Sequence, residues 1–247
     1  VNVGTDYQER YTFDSSFQVA STIHTIGSRT YTTSCTRNQA SQPTQWTYPS
    51  SRAINVSHDS IGRVTGILEG GNGPTWLSSV TYNNIGQMTA DALGNGVTEH
   101  YGYDANRMQL TSQKAGTASP YTNRMDLTYS YSATSGQMGS GSTAGNAGQL
   151  MSISGTINGT TESATYTYDN LGRLVTSNQT SNGSTAQRRF AYDRWGNRTG
   201  VWDATSGGNQ IQSIVLQGSG GIPTNQIASV TAGSTLNYTY DAAGNVT

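Results

Sequence analysis

The sequence predicts an all-β protein built from tandem β-hairpins, and three observations predict it. A short phrase recurs: YTYDNLGRLV (166–175), FAYDRWGNRT (190–199) and YTYDAAGNVT (238–247) share the pattern aromatic–x–Tyr–Asp–x–x–Gly. Its copies fall about 20–24 residues apart, a length suited to one hairpin per unit. Polar and apolar residues alternate in ATYTYD (164–169), RRFAYD (188–193), SIVLQG (213–218) and LNYTYD (236–241), and no window shows a sustained helical period.

Weaker copies sit earlier, at YTFDSSFQV (11–19), INVSHDSIGRVT (54–65), VTYNNIGQMT (80–89) and YGYDANRMQLT (101–111). The Asp position is filled by Asp14, Asp59, Asn83, Asp104, Asp169, Asp193 and Asp241. Intervals of 45 residues (14 to 59) and 48 residues (193 to 241) are near-multiples of the period, so each is expected to hide a degenerate unit. The interval from 104 to 169 holds worn copies at YSYSATSGQM (129–138) and NAGQLMSIS (146–154). The irregular segment 27–50 reads as a decayed unit or an inserted loop, and the Gly/Ser/Thr-rich stretch 133–148 as a flexible loop or long hairpin tip.

The phrase makes sense as a hairpin. Tyr166 and Tyr168 lie two apart and share a strand face. Asp169 opens the turn, because a short carboxylate accepts hydrogen bonds from backbone N–H groups just ahead. Gly172 supplies the positive φ needed to re-enter the return strand, where Leu174 and Thr176 are expected to share a face. Asp59 with Gly62, Asn83 with Gly86, Asp193 with Gly196 and Asp241 with Gly244 repeat the arrangement, and Tyr82, Tyr103, Tyr192, Tyr238 and Tyr240 take the strand-face aromatic positions. After Asp104 an arginine, Arg107, replaces the glycine, so that turn must differ or carry strain.

These residues resemble the signature of the YD-repeat (Rhs) family, over about residues 15–247. The resemblance implies hairpins stacked into a spiralling sheet that forms part of a shell, barrel or fibre. In that family such walls enclose a toxic C-terminal domain, as in bacterial Rhs proteins and insecticidal toxin-complex cocoons, and teneurin-type proteins use a similar barrel at cell surfaces. The family's Asp-Pro-type self-cleavage motif is absent, since the chain contains no Asp-Pro dipeptide. Residues 1–247 are therefore read as one repeat array within a longer polypeptide, whose partners are further repeats or other copies and an enclosed toxin domain.

Composition agrees. Charged residues make up 11% of the chain, below the ~25% of ordinary soluble domains. A net charge of −1 offers no electrostatic case for nucleic acid. No apolar run is long enough to span a membrane as a helix. Secretion or surface display is expected from the Ser, Thr, Asn and Gly content. Cys35 is alone, so no intrachain disulfide framework exists, and it reads as a small buried hydrophobe.

No catalytic, metal or cofactor site is expected. The repeated aspartates read as turn caps rather than calcium ligands, because each turn supplies one carboxylate and calcium takes 6–8 oxygens. His24, His58 and His100 share no spacing. Among acidic residues outside the turns, Asp91 and Glu99 are the pair placed to meet across a hairpin. Trp195, between Asp193 and Gly196, is the candidate for ligand contact, and cell-surface glycans are the alternative partner. A carbohydrate-binding module, a filament and a polysaccharide-active enzyme are the competing classes, the last disfavoured.

Overall fold

A hairpin repeat demands that each chain reversal leave its backbone groups paired, and this requirement organises the molecule. The computed structural model describes residues 7–133, 145–205, 207–219 and 222–247. Among these residues no helix occurs. The chain divides into two compact units, Val1–Gly102 with Lys114–Asn123, and Tyr103–Gln113 with Arg124–Thr247.

The first unit is an antiparallel meander. Its strands are β1 (Tyr7–Phe13), β2 (Val19–Ile26), β3 (Arg29–Arg37), β4 (Pro43–Thr47), β5 (Ala53–His58), β6 (Val64–Glu69), β7 (Thr75–Tyr82), β8 (Met88–Leu93) and β9 (Thr98–Tyr103). Each pairs with the next in sequence. The unit boundary passes through the end of β9 and through β10 (Leu110–Gly116).

The second unit repeats the plan. It contains β11 (Met125–Ser130), β12 (Ser132–Ala133), β13 (Gly145–Asn146), β14 (Ser152–Ile157), β15 (Thr160–Tyr168), β16 (Leu174–Ser181), β17 (Ser184–Tyr192), β18 (Arg198–Asp203), β19 (Asn209–Ser219), β20 (Ile222–Ala232) and β21 (Ser234–Asn237). β11 pairs with β14, and from β14 to β21 each strand pairs antiparallel with its successor. β12 and β13 make a separate short ladder. The sequence segment 133–148 falls mostly outside the described residues, which resume at Gly145.

The core is thin. Among the described residues the buried apolar side chains are Cys35, Ala115, Leu127, Ala133, Met151, Ala164 and Val201, and most strand residues are only half-buried. Ladder hydrogen bonds and cross-strand pairs therefore carry the cohesion, each pair worth about 0.2–1 kcal/mol. Threonine hydroxyls supply many of them: Thr81 with Thr89 at 2.9 Å, Thr167 with Thr176 at 2.6 Å and Thr180 with Thr185 at 3.0 Å.

The register corrects one expectation. Leu174 lies opposite Tyr168, but Thr176 lies opposite Thr167, so Leu174 and Thr176 face opposite sides of the sheet. Val175 is the extra residue of a β-bulge, and one unpaired residue reverses the alternation beyond it. The same register shift precedes the turn in β5, β7 and β17.

The segment 27–50 contains β3, β4 and a turn of the repeated kind at 38–42, with Asn38 in the Asp position and Ser41 at φ +64° in the Gly position. Asn38 stands 24 residues after Asp14 and 21 before Asp59. Neither the aspartate nor the glycine survives here, which hides the copy from a pattern search. Left-handed φ strains a non-glycine residue by about 1 kcal/mol or more, above glycine's extra chain entropy. Ser41→Gly is expected to stabilise by about 0.5–1 kcal/mol, read as a raised thermal midpoint; a lowered midpoint would contradict the strain argument.

Candidate functional site, a ladder of interlocked turns

The five-residue turn is closed by two backbone hydrogen bonds. Asp59 N–H donates to the Arg63 carbonyl at 2.8 Å, and Gly62 N–H donates to the Asp59 carbonyl at 3.0 Å. The same pair closes the turns that begin at Asp14, Asn38, Asn83, Asp169, Asp193 and Asp241. This is a three-residue hairpin loop whose last residue takes positive φ, seen at Gly62 (+92°), Gly86 (+88°), Gly172 (+74°), Gly196 (+90°) and Gly244 (+86°). Phe17 fills the position in the first turn at φ +59°.

The first side chain of each turn completes it. Asp169 Oδ1 accepts the N–H groups of Leu171 and Arg173, both at 2.9 Å. Asp59 does the same for Ile61 and Arg63, Asp193 for Trp195 and Asn197, and Asp241 for Ala243 and Asn245, all at 2.8–3.0 Å. Asn38 and Asn83 accept the equivalent pairs through their amide oxygens. Asp104 caps Asn106 and Arg107, but its turn is one residue longer, and the positive φ moves to Met108 at +59°. That insertion is how the chain accommodates Arg107 in place of glycine.

The second oxygen reveals a pairing rule. In four turns that open with Asp, a donor answers four residues on: Arg63 Nε at 2.7 Å, Arg173 Nε at 2.6 Å, Asn197 Nδ2 at 3.0 Å and Asn245 Nδ2 at 2.9 Å, while at Asp14 the second oxygen faces Arg37 Nη1 at 3.5 Å instead. Where the turn opens with Asn, Nδ2 instead donates to a glutamine Oε1, Gln42 and Gln87, each at 2.9 Å. Donor meets acceptor in both versions.

Neighbouring turns are tied together. In the first unit, Gln42 Nε2 donates to the Gly62 carbonyl at 2.8 Å, Arg63 Nη1 reaches the Asn83 carbonyl at 3.4 Å, and the Arg63 guanidinium lies 4.4 Å from the centre of the Tyr82 ring. Tyr82 Oη reaches back to the Val64 carbonyl at 2.7 Å. In the second unit, Tyr168 Oη donates to the Leu150 carbonyl at 2.7 Å, Arg173 Nη1 to the Asp193 carbonyl at 2.9 Å, and the Arg173 guanidinium lies 4.9 Å over Tyr192. Tyr240 Oη accepts the Ile227 N–H at 3.1 Å, and Asn197 Nδ2 donates to Asn225 Oδ1 at 3.0 Å. Tyr82, Tyr168 and Tyr240 thus tie their hairpins to the previous one, and Gln42, Arg63, Arg173 and Asn197, each four residues after the capping Asp or Asn, reach the next.

The remaining aromatic positions are more local. Tyr166 pairs with Ser177 across β15 and β16, Tyr103 ends β9, and Tyr238 N–H donates to the Ala228 carbonyl at 2.9 Å. Trp195 is 60% exposed, with the Arg194 guanidinium 4.7 Å over its ring. Ile61, Ile85 and Leu171 occupy the same turn position and are also exposed. Sequence reasoning singled out Trp195 alone, although an apolar residue before the glycine was visible in all five copies, Ala243 being the fifth.

Electrostatics follow the caps. The Arg63 N–H leads in holding the Asp59 carboxyl below the ordinary carboxylate range, and the Arg107 N–H does so for Asp104. The side-chain amides of Asn197 and Asn245 lead at Asp193 and Asp241. At Asp169 partial burial pushes upward, but the Arg173 N–H and guanidinium and the Leu171 N–H outweigh it, and the net direction is down. With the cap oxygens already occupied by donors, they are poorly disposed toward a cation. Among the described residues no cluster of three or more His, Cys, Asp or Glu is placed to hold a metal ion.

Of the other candidates, His24 pairs with Tyr7 Oη at 2.8 Å, His58 ends β5, and His100 stacks on Tyr121 at 4.8 Å. Cys35 is buried, its Sγ 3.5 Å from the Thr36 carbonyl. Asp91 and Glu99 are direct partners across β8 and β9. No helix among the described residues is long and apolar enough to cross a membrane.

Solved structures with this fold are known. The crystal structure of TcdB2-TccC3-Cdc42 matches with TM-score 0.69 at 17% identity over 95% of this chain, and TcdB2-TccC3 without its hypervariable C-terminal region matches with TM-score 0.70 at 16% identity over 95%. A Photorhabdus luminescens Tc holotoxin pore carrying a mutation in TccC3 matches with TM-score 0.70 at 17% identity over 98%. The chain spans 14% of the length of each of those chains. No protein-family model matches, and no curated protein matches by sequence. Phrase and fold agree: the chain is all-β and shares the fold of these structures, and its repeated phrase resembles the YD repeat.

Three substitutions test the ladder. Tyr168→Phe removes one hydroxyl and leaves the Leu150 carbonyl unpaired, an expected loss of about 1 kcal/mol in denaturant unfolding. Asp169→Asn should destabilise, because Arg173 loses its acceptor, whereas Asn83→Asp should be near neutral, because the Gln87 amide can turn to donate. A lowered folded pKa adds stability above the ordinary carboxylate range that is lost as pH falls through it. Asp169→Asn should therefore also flatten the acid limb of the stability profile, and an unchanged limb would refute the cap's electrostatic role.

Proposed function

We propose that this chain is a structural stretch of a YD-repeat wall that encloses or scaffolds a toxin or effector in a secreted or surface-displayed protein, and that it is not itself an enzyme. The observation that carries this reading is the reciprocal tie between successive turns. Tyr82 and Tyr168 satisfy carbonyls of the preceding hairpin, and Arg63 and Arg173 those of the following one. A hairpin of this kind is complete only between two neighbours, which suits continuous sheet and not a free-standing module. Support also comes from the fold shared with TcdB2-TccC3 and the Tc holotoxin pore over nearly all of this chain. The partners are then further repeats of the same polypeptide and the enclosed cargo.

Electron microscopy of the native protein, with mass determined on the same sample, tests the reading. A closed hollow particle is expected, protecting a protease-sensitive cargo until the wall is disrupted. A regular filament would mean that the repeats propagate between copies. Small separate particles would refute the wall and favour glycan contact through exposed turn residues such as Trp195.

A further inference from the structure

The last hairpin of the first unit contains a charge arrangement that ladder formation does not require. Asp91 on β8 lies directly opposite Glu99 on β9. Like charges at such positions repel and destabilise a sheet. Asp91 is only 8% exposed, and its Oδ1 is buried without a hydrogen-bond partner. The Tyr101 hydroxyl donates to Glu99 Oε2, and Tyr101 lies close enough to Asp91 for the two side chains to influence each other's ionisation.

A phenol carries one proton, so it can donate to only one of two carboxylates. It donates to Glu99, so its oxygen remains available as an acceptor, and Asp91 can bond to it only by bringing its own proton. A protonated Asp91 would then complete a chain of donors, Asp91 O–H to Tyr101 O–H to the Glu99 carboxylate. The groups facing Asp91 fit this state. Val80 of β7 is its direct partner on the other side and offers no charge. From β9, Glu99 opposes ionisation of Asp91, while Tyr101 and His100 favour it more weakly. Burial is the largest influence and pushes the Asp91 carboxyl upward.

We propose that Asp91, Tyr101 and Glu99 form a proton-held latch that closes the β8–β9 hairpin when Asp91 is protonated and loosens it when pH rises and the proton leaves. The sign opposes that of the turn aspartates. A carboxyl whose folded pKa is raised has no effect on stability below the ordinary carboxylate range, and penalises the folded state progressively as pH climbs to the folded pKa. The hairpin is thus tightest in mild acid, where the turn caps are still ionised. In the full protein it would be a pH-responsive weak point in otherwise uniform repeats.

Hydrogen exchange read by mass spectrometry on the native protein tests this, using peptides over 88–103 and, as reference, over β15–β16, with rates corrected for intrinsic chemistry. Opening of 88–103 should rise with pH by up to about tenfold per unit, the slope of one released proton, and then level off. The β15–β16 peptides should show no such rise. Asp91→Asn keeps the shape without the charge and should abolish the slope. Glu99→Gln removes the opposing charge and should shrink it, providing a second readout if Asp91→Asn assembles poorly. A pH-independent wild-type hairpin, or an undiminished slope in the variants, would overturn the proposal.

Discussion

The repeated turns of this fold lean on one short contact: an oxygen at the first position of the turn accepting two backbone N–H groups. A three-residue hairpin loop leaves those donors pointing inward, and an unmade bond there costs about 1–3 kcal/mol. Asp14, Asn38, Asp59, Asn83, Asp104, Asp169, Asp193 and Asp241 each meet the same demand. Since the demand is for an acceptor and not for charge, asparagine serves wherever its amide finds a partner, and it does so opposite Gln42 and Gln87.

From that contact the next level follows. Capping fixes the backbone so that the fourth residue on always leaves the turn in the same direction. Its side chain is then delivered to the neighbouring turn, as Gln42 is to Gly62 and Arg173 to Asp193. At Gly62 the approach is so close that a Cβ would fall 2.0 Å from Gln42 Nε2. That glycine meets two needs at once, its positive φ and the room it leaves for the adjoining rung. With few buried apolar side chains, these ties and the threonine pairs replace a bulk core.

The β8–β9 hairpin departs from this economy. Its Asp91 is buried and opposed by another acid, whereas the turn aspartates are half-buried or exposed and partnered by donors. The same residue type is therefore pushed in opposite pKa directions at the tip and in the body of the hairpins. Acidification weakens the tips and relieves the body.

The amino-acid sequence by itself determined the fold class, the turn position and the length of the repeat, because these rest on local chemistry: period-two alternation, an Asx cap and a glycine at fixed offset. It also brought Asp91 and Glu99 within one hairpin. What it left open is what depends on partners distant in sequence. The turn at Asn38–Ser41 was hidden because a cap can be made by asparagine and positive φ can be forced on serine by its surroundings. The faces of Leu174 and Thr176 were misjudged because one bulged residue reverses the alternation. The reach of Tyr168 to Leu150 and of Arg173 to Asp193 was invisible because the register between hairpins is set by contacts 18 and 20 residues apart, and only the tertiary structure decides which carbonyl lies within range.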